Sequence, residues 1–301
     1  MIFTHVYGAP PSELAALAAN AQSYDPLTPG AARLEDVAPG SLDNLAVLAP
    51  PGAVERRYTL ALALRALKHG APLLALAPKD RGGGRIAGEL EALGCASHES
   101  SKKHHRICQS EAAFAPEAVE AALAEGAPRF DSDLGLWTQP GVFSWDRIDA
   151  GTRALLRHLP DFSGSGADFG CGLGILAHRV LTSEKVKALV LVDLDRRAVD
   201  LCARNVVDPR VAIRWADIRD LSGLPPLDFI VMNAPFHEAG RETKALGVAF
   251  IEKAAKSLRT GGACWLVANR HLPYEAALAQ HFRSFQIVAD ENGFKIVEAR
   301  K

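Results

Sequence analysis

The stretch Ala167-Asp-Phe-Gly-Cys-Gly-Leu-Gly-Ile175 decides how this chain is read. Three glycines alternate at Gly170, Gly172 and Gly174, two residues after an acid, Asp168. Glycines at that spacing let a backbone turn sharply and approach a ligand that a Cβ would hold off. The run from Leu173 to Leu181 then has the pattern of a helix, so its unpaired N–H groups point back at the turn. Nineteen residues beyond Gly174, the apolar run Ala188-Leu-Val-Leu-Val192 ends in Asp193. A carboxylate at the tip of a second strand suits a ribose diol. The pattern implies a strand–helix–strand unit that holds a nucleoside.

The identity of that nucleoside depends on more than the glycines. Gly172-Leu-Gly-Ile-Leu-Ala177 also fits the dinucleotide fingerprint G-x-G-x-x-A with a later acid. Two features argue against a nicotinamide cofactor. Asp168 precedes the glycines, where a pyrophosphate gains nothing from negative charge but a cationic methionine moiety does. The second is Asn233-Ala-Pro-Phe236, directly after the apolar run Phe229-Ile-Val-Met232. A strand ending this way sets an amide oxygen, a backbone carbonyl and a ring face together at the carboxyl edge of a sheet, which suits a planar amine. Asp217, after the strand-like Val211-Ala-Ile-Arg-Trp215, is placed to accept from an adenine amine; a loop or helix-cap acid is the competing reading. Together these motifs resemble the class I S-adenosylmethionine-dependent methyltransferases that modify exocyclic or amide nitrogens.

The composition sets bounds on the rest. A chain of 301 residues with 48% hydrophobic content has room for one large domain or two ordinary ones. A net charge of −1 means that any attraction to nucleic acid must come from local patches. The five cysteines are scattered with no C-x-x-C pair, which reads as reduced thiols. No run has membrane-spanning length and the amino terminus carries no leader pattern, so a soluble, cytoplasmic, monomeric protein is expected. The adjacent histidines His104 and His105 read as lacking partners at metal-ligand spacing, and no metal is expected.

The first half reads as α/β. A helical patch is expected over Ala15 to Ala21, a strand over Leu45 to Ala49, a helix over Val54 to Leu67 and a strand over Ala71 to Ala77. A second helix near Arg85 to Leu93 and a third over Ala112 to Ala124 follow. Pro50-Pro-Gly52 would stand where the second half has its glycines, and prolines lack the N–H groups a ligand cradle needs. This half therefore reads as a smaller, degenerate copy without a cofactor, over residues 1–128; an unrelated α/β domain remains the alternative. Its cluster Lys102-Lys-His-His-Arg106 offers Lys102, Lys103 and Arg106 as phosphate contacts, against the competing reading of a solvated face.

The catalytic half is placed at residues 129–301, with the joint near Arg129. Trp137 and Trp145 are expected to pack between domains and Phe143 to lie open near the glycine turn. Helices are expected over Asp149 to Leu159, Arg196 to Val206, Thr243 to Leu258 and Tyr274 to Phe282, the third stopped by Gly261-Gly262. Strands over Cys264 to Ala268, Phe285 to Asp290 and Lys295 to Ala299 complete a parallel sheet with an antiparallel hairpin.

Four segments narrow the resemblance: Gln139-Pro-Gly-Val-Phe-Ser144, the glycine turn, Asn233-Ala-Pro-Phe-His237 and Val267-Ala-Asn-Arg-His-Leu-Pro-Tyr274. In this order they are similar to the ribosomal RNA guanine-N2 methyltransferases, the small-subunit methyltransferase C family and its large-subunit relative. The resemblance covers about Trp137 to Arg300 and, more faintly, Pro78-Lys-Asp-Arg-Gly-Gly83. It implies N2-methylation of one guanine in ribosomal RNA, free or in an assembling subunit, with S-adenosylmethionine as methyl donor. Asn233, Ala234, Pro235 and Phe236 would form the amine site; Asp168, Gly170, Gly172, Gly174, Asp193, Asp217 and Asn233 would hold the cofactor; Phe143 and His237 would touch the substrate. The departure is Ala234, where the family has proline; the carbonyl survives the change, and Pro235 still keeps residue 234 extended. The same site could serve adenine or a protein glutamine, and a non-enzymatic RNA scaffold is the remaining alternative.

Overall fold

A computed structural model describes residues 1–234, 237–238, 241–242 and 244–301, with the backbone alone at 237–238, 241–242 and 244. The chain divides into two compact units, Met1–Arg129 with Gln139–Gly141, and Phe130–Thr138 with Val142–Lys301.

The first unit runs β1 (Phe3–Tyr7), β2 (Leu17–Ser23), β3 (Leu45–Leu48), α1 (Ala53–Ala66), β4 (Pro72–Pro78), α2 (Ile86–Ala92), β5 (His98–Lys102), β6 (His105–Glu111) and α3 (Pro116–Gly126). Its sheet has the order β2-β1-β3-β4-β6-β5, parallel except for β6, which runs antiparallel to both β4 and β5. All three helices pack on one face, through residues such as Leu60, Leu64, Leu90 and Val119 against Leu45, Val47, Leu73 and Ala75. The opposite face carries a smaller cluster of Phe3, Val6, Ala46, Leu74 and Leu76.

Three expectations fail in this unit. The segment placed in a helix over Ala15 to Ala21 forms the edge strand β2, paired in parallel with β1. Alanine favours a helix only weakly, and pairing with a neighbouring strand overrides it. The third helix starts at Pro116, not Ala112, because proline is suited to the first turn and residues before it belong to the loop. Since β1 and β2 precede it, β3 is not the first strand. It sits beside β1, so Pro50-Pro-Gly52 does not occupy the place of the glycine turn.

The second unit opens with β7 (Arg129–Asp131) and β8 (Leu136–Thr138), then α4 (Ala150–His158), β9 (Gly164–Phe169), α5 (Ile175–Leu181), β10 (Val186–Asp193), α6 (Arg196–Asn205), β11 (Val211–Trp215) and β12 (Leu227–Asn233). A short backbone pair, β13 (His237–Glu238) and β14 (Arg241–Glu242), leads to α7 (Lys244–Ser257), β15 (Leu258–Asn269), α8 (Glu275–His281), β16 (Ser284–Glu291) and β17 (Phe294–Arg300). The main sheet has the order β11-β10-β9-β12-β15-β17-β16. Strands β9 to β12 and β15 are parallel, and β17 is antiparallel to β15 and β16. This is the class I methyltransferase arrangement. Alternate residues serve opposite faces, as the pleat requires. Ile230 and Met232 pack with α7 and α8, whereas Phe229 and Val231 pack with α4, α5 and α6. Burial on both sides explains why these strands are continuous apolar runs.

Two further readings change here. Gly261 and Gly262 lie inside the entry to β15, which begins directly after α7, so they do not form a helix stop. Trp137 and Trp145 pack with Val142, Leu173, Ala198 and Leu201 of their own unit.

Candidate active site

The chain leaves β9 toward β10 and β11 on one side and returns with β12 on the other. Such a reversal opens a crevice at the carboxyl ends of the strands, where ligands of open α/β sheets bind. Four polar side chains stand along this edge. Leu191 and Val231 lie level with Asp168, so Asp193 on β10 and Asn233 on β12 each stand two residues beyond it. Asp193 is level with Trp215, and Asp217 follows two residues later.

The glycine turn folds over the end of β10. The N–H groups of Gly170 and Cys171 donate to the Val192 carbonyl at 2.8 and 3.0 Å, and Gly172 N–H donates to Asp193 Oδ2 at 2.8 Å. Gly172 has φ +53° and Gly174 φ +85°, both in the left-handed region that side chains disfavour. Their surroundings differ. A Cβ at Gly174 would meet Val206 Cγ2 at 2.5 Å and Cys202 Sγ at 3.0 Å, whereas nothing lies within 4 Å of one at Gly172. Gly174 packs the turn against α6, and Gly172 leaves space for a ligand.

Asp168 is fully buried, and neither carboxylate oxygen has a hydrogen-bond partner among the described residues. Burial, reinforced by the charge of Asp193, pushes its pKa up to about 8. An orphan carboxylate of this kind gains most from a cation. Asp193 accepts from Asp195 N–H at 2.9 Å on Oδ1 and from Gly172 on Oδ2. Burial raises it to about 6, opposed by those same N–H groups. Lone pairs remain on both oxygens for a ribose hydroxyl. Asp217 is different: Arg219 grips its carboxylate at 2.6 Å and holds the pKa below the usual range. The orphan acid, the open space at Gly172 and the half-buried Asp193 fit the nucleoside and cationic amine of S-adenosylmethionine.

Asn233 ends β12 with its amide fixed. Nδ2 donates to Asp149 Oδ2 at 3.0 Å and to Thr152 Oγ1 at 2.8 Å. Asp149 is also the N-cap of α4, accepting Thr152 N–H at 2.9 Å. Ala234 is buried; Pro235 and Phe236 lie outside the described residues, as does the side chain of His237. Phe143 is 63% exposed, and its neighbour Val142 packs on Leu173 of the glycine turn.

Sequence reasoning missed Asp149, Thr152 and Asn205. Asn205 Nδ2 donates to the carbonyls of Trp137 and Leu173, both at 3.0 Å, and its Oδ1 accepts Trp137 N–H at 2.7 Å. It ties the aromatic segment to the glycine turn. Asp149 and Thr152 read only as a helix start, because their link to Asn233 is long-range.

In the first unit, Lys102, Lys103 and Arg106 belong to the β5–β6 hairpin. Lys103 pairs with Glu13 at 2.7 Å, Arg106 with Glu99 at 3.0 Å, and Lys102 donates to the Glu13 carbonyl at 3.3 Å. The cluster is thus partly neutralised by its own neighbours. Among the described residues, no group of three or more His, Cys, Asp or Glu side chains is arranged to hold a metal.

Comparison with known proteins agrees with this geometry. The family described as methyltransferase small domain matches residues 133–298. The small-subunit ribosomal RNA methyltransferase C of Pseudomonas paraeruginosa is 32% identical over 91% of this chain and 84% of its own length. That of Shewanella loihica is 29% identical over 87% and 78%. Among solved structures, the T. thermophilus 16S rRNA N2-guanine methyltransferase in complex with AdoMet and guanosine superposes with a TM-score of 0.75. It has 26% identity and covers 90% of this chain and 76% of that one.

Proposed function

The chain belongs to the small-subunit ribosomal RNA methyltransferase C family, within the methyltransferase small domain group, and we propose that it methylates N2 of one guanine in ribosomal RNA. The observation that carries the reading is Asn233, whose amide nitrogen is committed to Asp149 and Thr152 while its Oδ1 takes no hydrogen bond from any described residue. An exocyclic guanine amine is a poor nucleophile because its lone pair is delocalised into the ring. Asn233 Oδ1 and the Ala234 carbonyl accept from its two protons and turn the lone pair out of conjugation, toward the donor. S-adenosylmethionine, when bound, supplies an electrophilic methyl on a sulfonium. Asp168 faces its amino group, Asp193 its ribose and Asp217 its adenine, with the turn at Gly170, Gly172 and Gly174 enclosing it. Pro235 fixes the carbonyl and Phe236 stacks on the base. Catalysis is then positioning and electrostatics, with no nucleophilic side chain. The base must be unpaired or extruded to reach this edge.

Phe143 and His237 border the incoming nucleotide in this reading. Lys102, Lys103 and Arg106 exchange their partners for phosphates, which exposed ion pairs oppose only weakly. As domains, residues 1–128 serve RNA without a cofactor, residues 129–301 carry the reaction, and the protein works as a cytoplasmic monomer. Among the described residues no helix is long and apolar enough to cross a membrane. The test is purified protein incubated with methyl-labelled donor and small ribosomal subunits or their RNA, followed by nucleoside digestion. Label in N2-methylguanosine supports the reading; label in methyladenosine, or in protein glutamine, overturns it.

A further inference from the structure

We propose that Asp149 and Thr152 are positioning residues for methyl transfer, fixing which end of the Asn233 amide meets the acceptor base. This rests on Asn233 as the amine acceptor and adds what orients it. A side-chain amide has two N–H donors and one carbonyl acceptor, and the two ends have nearly the same shape. Either could face the crevice unless something distinguishes them. Here Nδ2 lies 3.0 Å from Asp149 Oδ2 and 2.8 Å from Thr152 Oγ1, one acceptor for each proton. A carboxylate accepts and does not donate, so an amide turned by 180° would set its oxygen against Asp149 Oδ2. The network therefore forces the nitrogen inward and leaves Oδ1 as the group offered.

The device is built on a rigid helix end. Asp149 caps α4 with the same Oδ2 that receives Asn233, and the backbone N–H it caps belongs to Thr152, the second acceptor. Thr152 is buried, which holds its hydroxyl in place. Gly151 completes the arrangement. A Cβ there would lie 3.0 Å from Asp149 Oδ2 and 3.0 Å from the Phe294 ring, so a larger residue would crowd the carboxylate and the ring together. The four residues Asp149-Ala-Gly-Thr152 thus make one bracket for an asparagine 84 positions later. With the bracket loosened, the amide presents N–H groups to an amine that itself has only protons to offer, and the transition state loses its acceptor. The deficit falls on turnover and leaves binding intact.

Asp149→Ser is the central variant, because serine remains a good N-cap while the same hydroxyl, unlike a carboxylate, can also donate to a flipped Asn233. We expect kcat to fall about tenfold or more, with cofactor affinity and KM for RNA within about twofold of wild type. Thr152→Val should fall severalfold, and Thr152→Ser should restore the rate. A readout independent of turnover is hydrogen exchange of the Asn233 side-chain amide by nuclear magnetic resonance, its signal assigned by loss in Asn233→Ala. Exchange should be slow in the wild type and faster in both Asp149→Ser and Thr152→Val. In the Asn233→Ala background, Asp149→Ser should change kcat no further. Wild-type turnover and exchange in Asp149→Ser, or an undiminished loss on top of Asn233→Ala, would overturn the positioning role while leaving Asn233 as acceptor. Wild-type turnover in Asn233→Ala itself would instead remove the reading on which the proposal stands.

Discussion

At the scale of single residues, the site is defined by what its polar groups lack. Asn233 Oδ1 and both oxygens of Asp168 have no partner among the described residues, while Asn233 Nδ2 has two. Asn233→Ala should lower single-turnover methyl transfer by roughly a hundredfold, with cofactor affinity close to wild type. Asn233→Asp should do no better despite its shape, because it replaces the donor to Asp149 Oδ2 with a second carboxylate. Asp168 predicts a pH dependence of opposite sign for stability and binding. With its pKa at about 8 in the folded apo protein, against an ordinary 3.8, the folded state holds the extra proton between those values. Asp168 therefore favours the free fold at low pH, and that contribution is lost as pH rises through 8. A cationic ligand needs the ionised form, so cofactor affinity should strengthen from pH 6 to 8, by at most about tenfold per unit, with proton release. Calorimetry in buffers of different ionisation heat measures that release, which Asp168→Asn should abolish; a flat affinity without release would contradict the assignment. The place of Asn233 and Asp168 at strand ends on the sheet edge was legible in the sequence because each adjoins a short motif. The orienting Asp149 was not, since an N-cap signal is satisfied locally and gives no hint of a partner 84 residues away.

At the scale of elements, the glycine turn sets a packed glycine, Gly174, beside an open one, Gly172. Alanine at 172 and at 174 meets the same left-handed strain, about 1–2 kcal/mol. Only at Gly174 does the new Cβ also collide with Val206 and Cys202. Gly172→Ala should therefore melt only slightly below wild type but bind S-adenosylmethionine much more weakly, whereas Gly174→Ala should lose both stability and binding. Parallel melting and titration of the two variants checks this, and equal melting temperatures would contradict it. Strand β12 and the second half of β15 could be read from the sequence because burial on both faces makes them nearly unbroken apolar runs. The edge strand β2, Leu-Ala-Ala-Asn-Ala-Gln-Ser, has no large apolar side chain beyond Leu17 and is mostly exposed or half-buried. Its structure comes from pairing with β1, which local composition does not encode. The same holds for Gly261-Gly262, a helix stop by pattern but part of the entry to β15 by pairing.

At the scale of the whole molecule, the two units share a plan. The order β2-β1-β3-β4-β6-β5 matches β10-β9-β12-β15-β17-β16 strand for strand, with the same parallel and antiparallel neighbours, and only β11 has no counterpart. On the strand pairings Leu48-Ala49 stands where the second unit has Asn233-Ala234, Leu48 level with Leu76 of β4 as Asn233 is with Val267 of β15. There the buried Arg56 donates to the carbonyls of Pro50 and Pro51 and pairs with Glu89, and its guanidinium packs tightly on Gly82. A polar side chain of the unit itself occupies the edge that a ligand would need. Titration calorimetry should accordingly give one S-adenosylmethionine per chain, and two would refute a cofactor-free first unit. The central claim, methylation of guanine N2 in ribosomal RNA, is tested most directly in cells. Quantitative nucleoside mass spectrometry would compare ribosomal RNA from a deletion strain with that from strains complemented by wild type or Asn233→Ala. The account predicts loss of one N2-methylguanosine per ribosome on deletion, restored by wild type and not by Asn233→Ala. An unchanged N2-methylguanosine content in the deletion strain would contradict it.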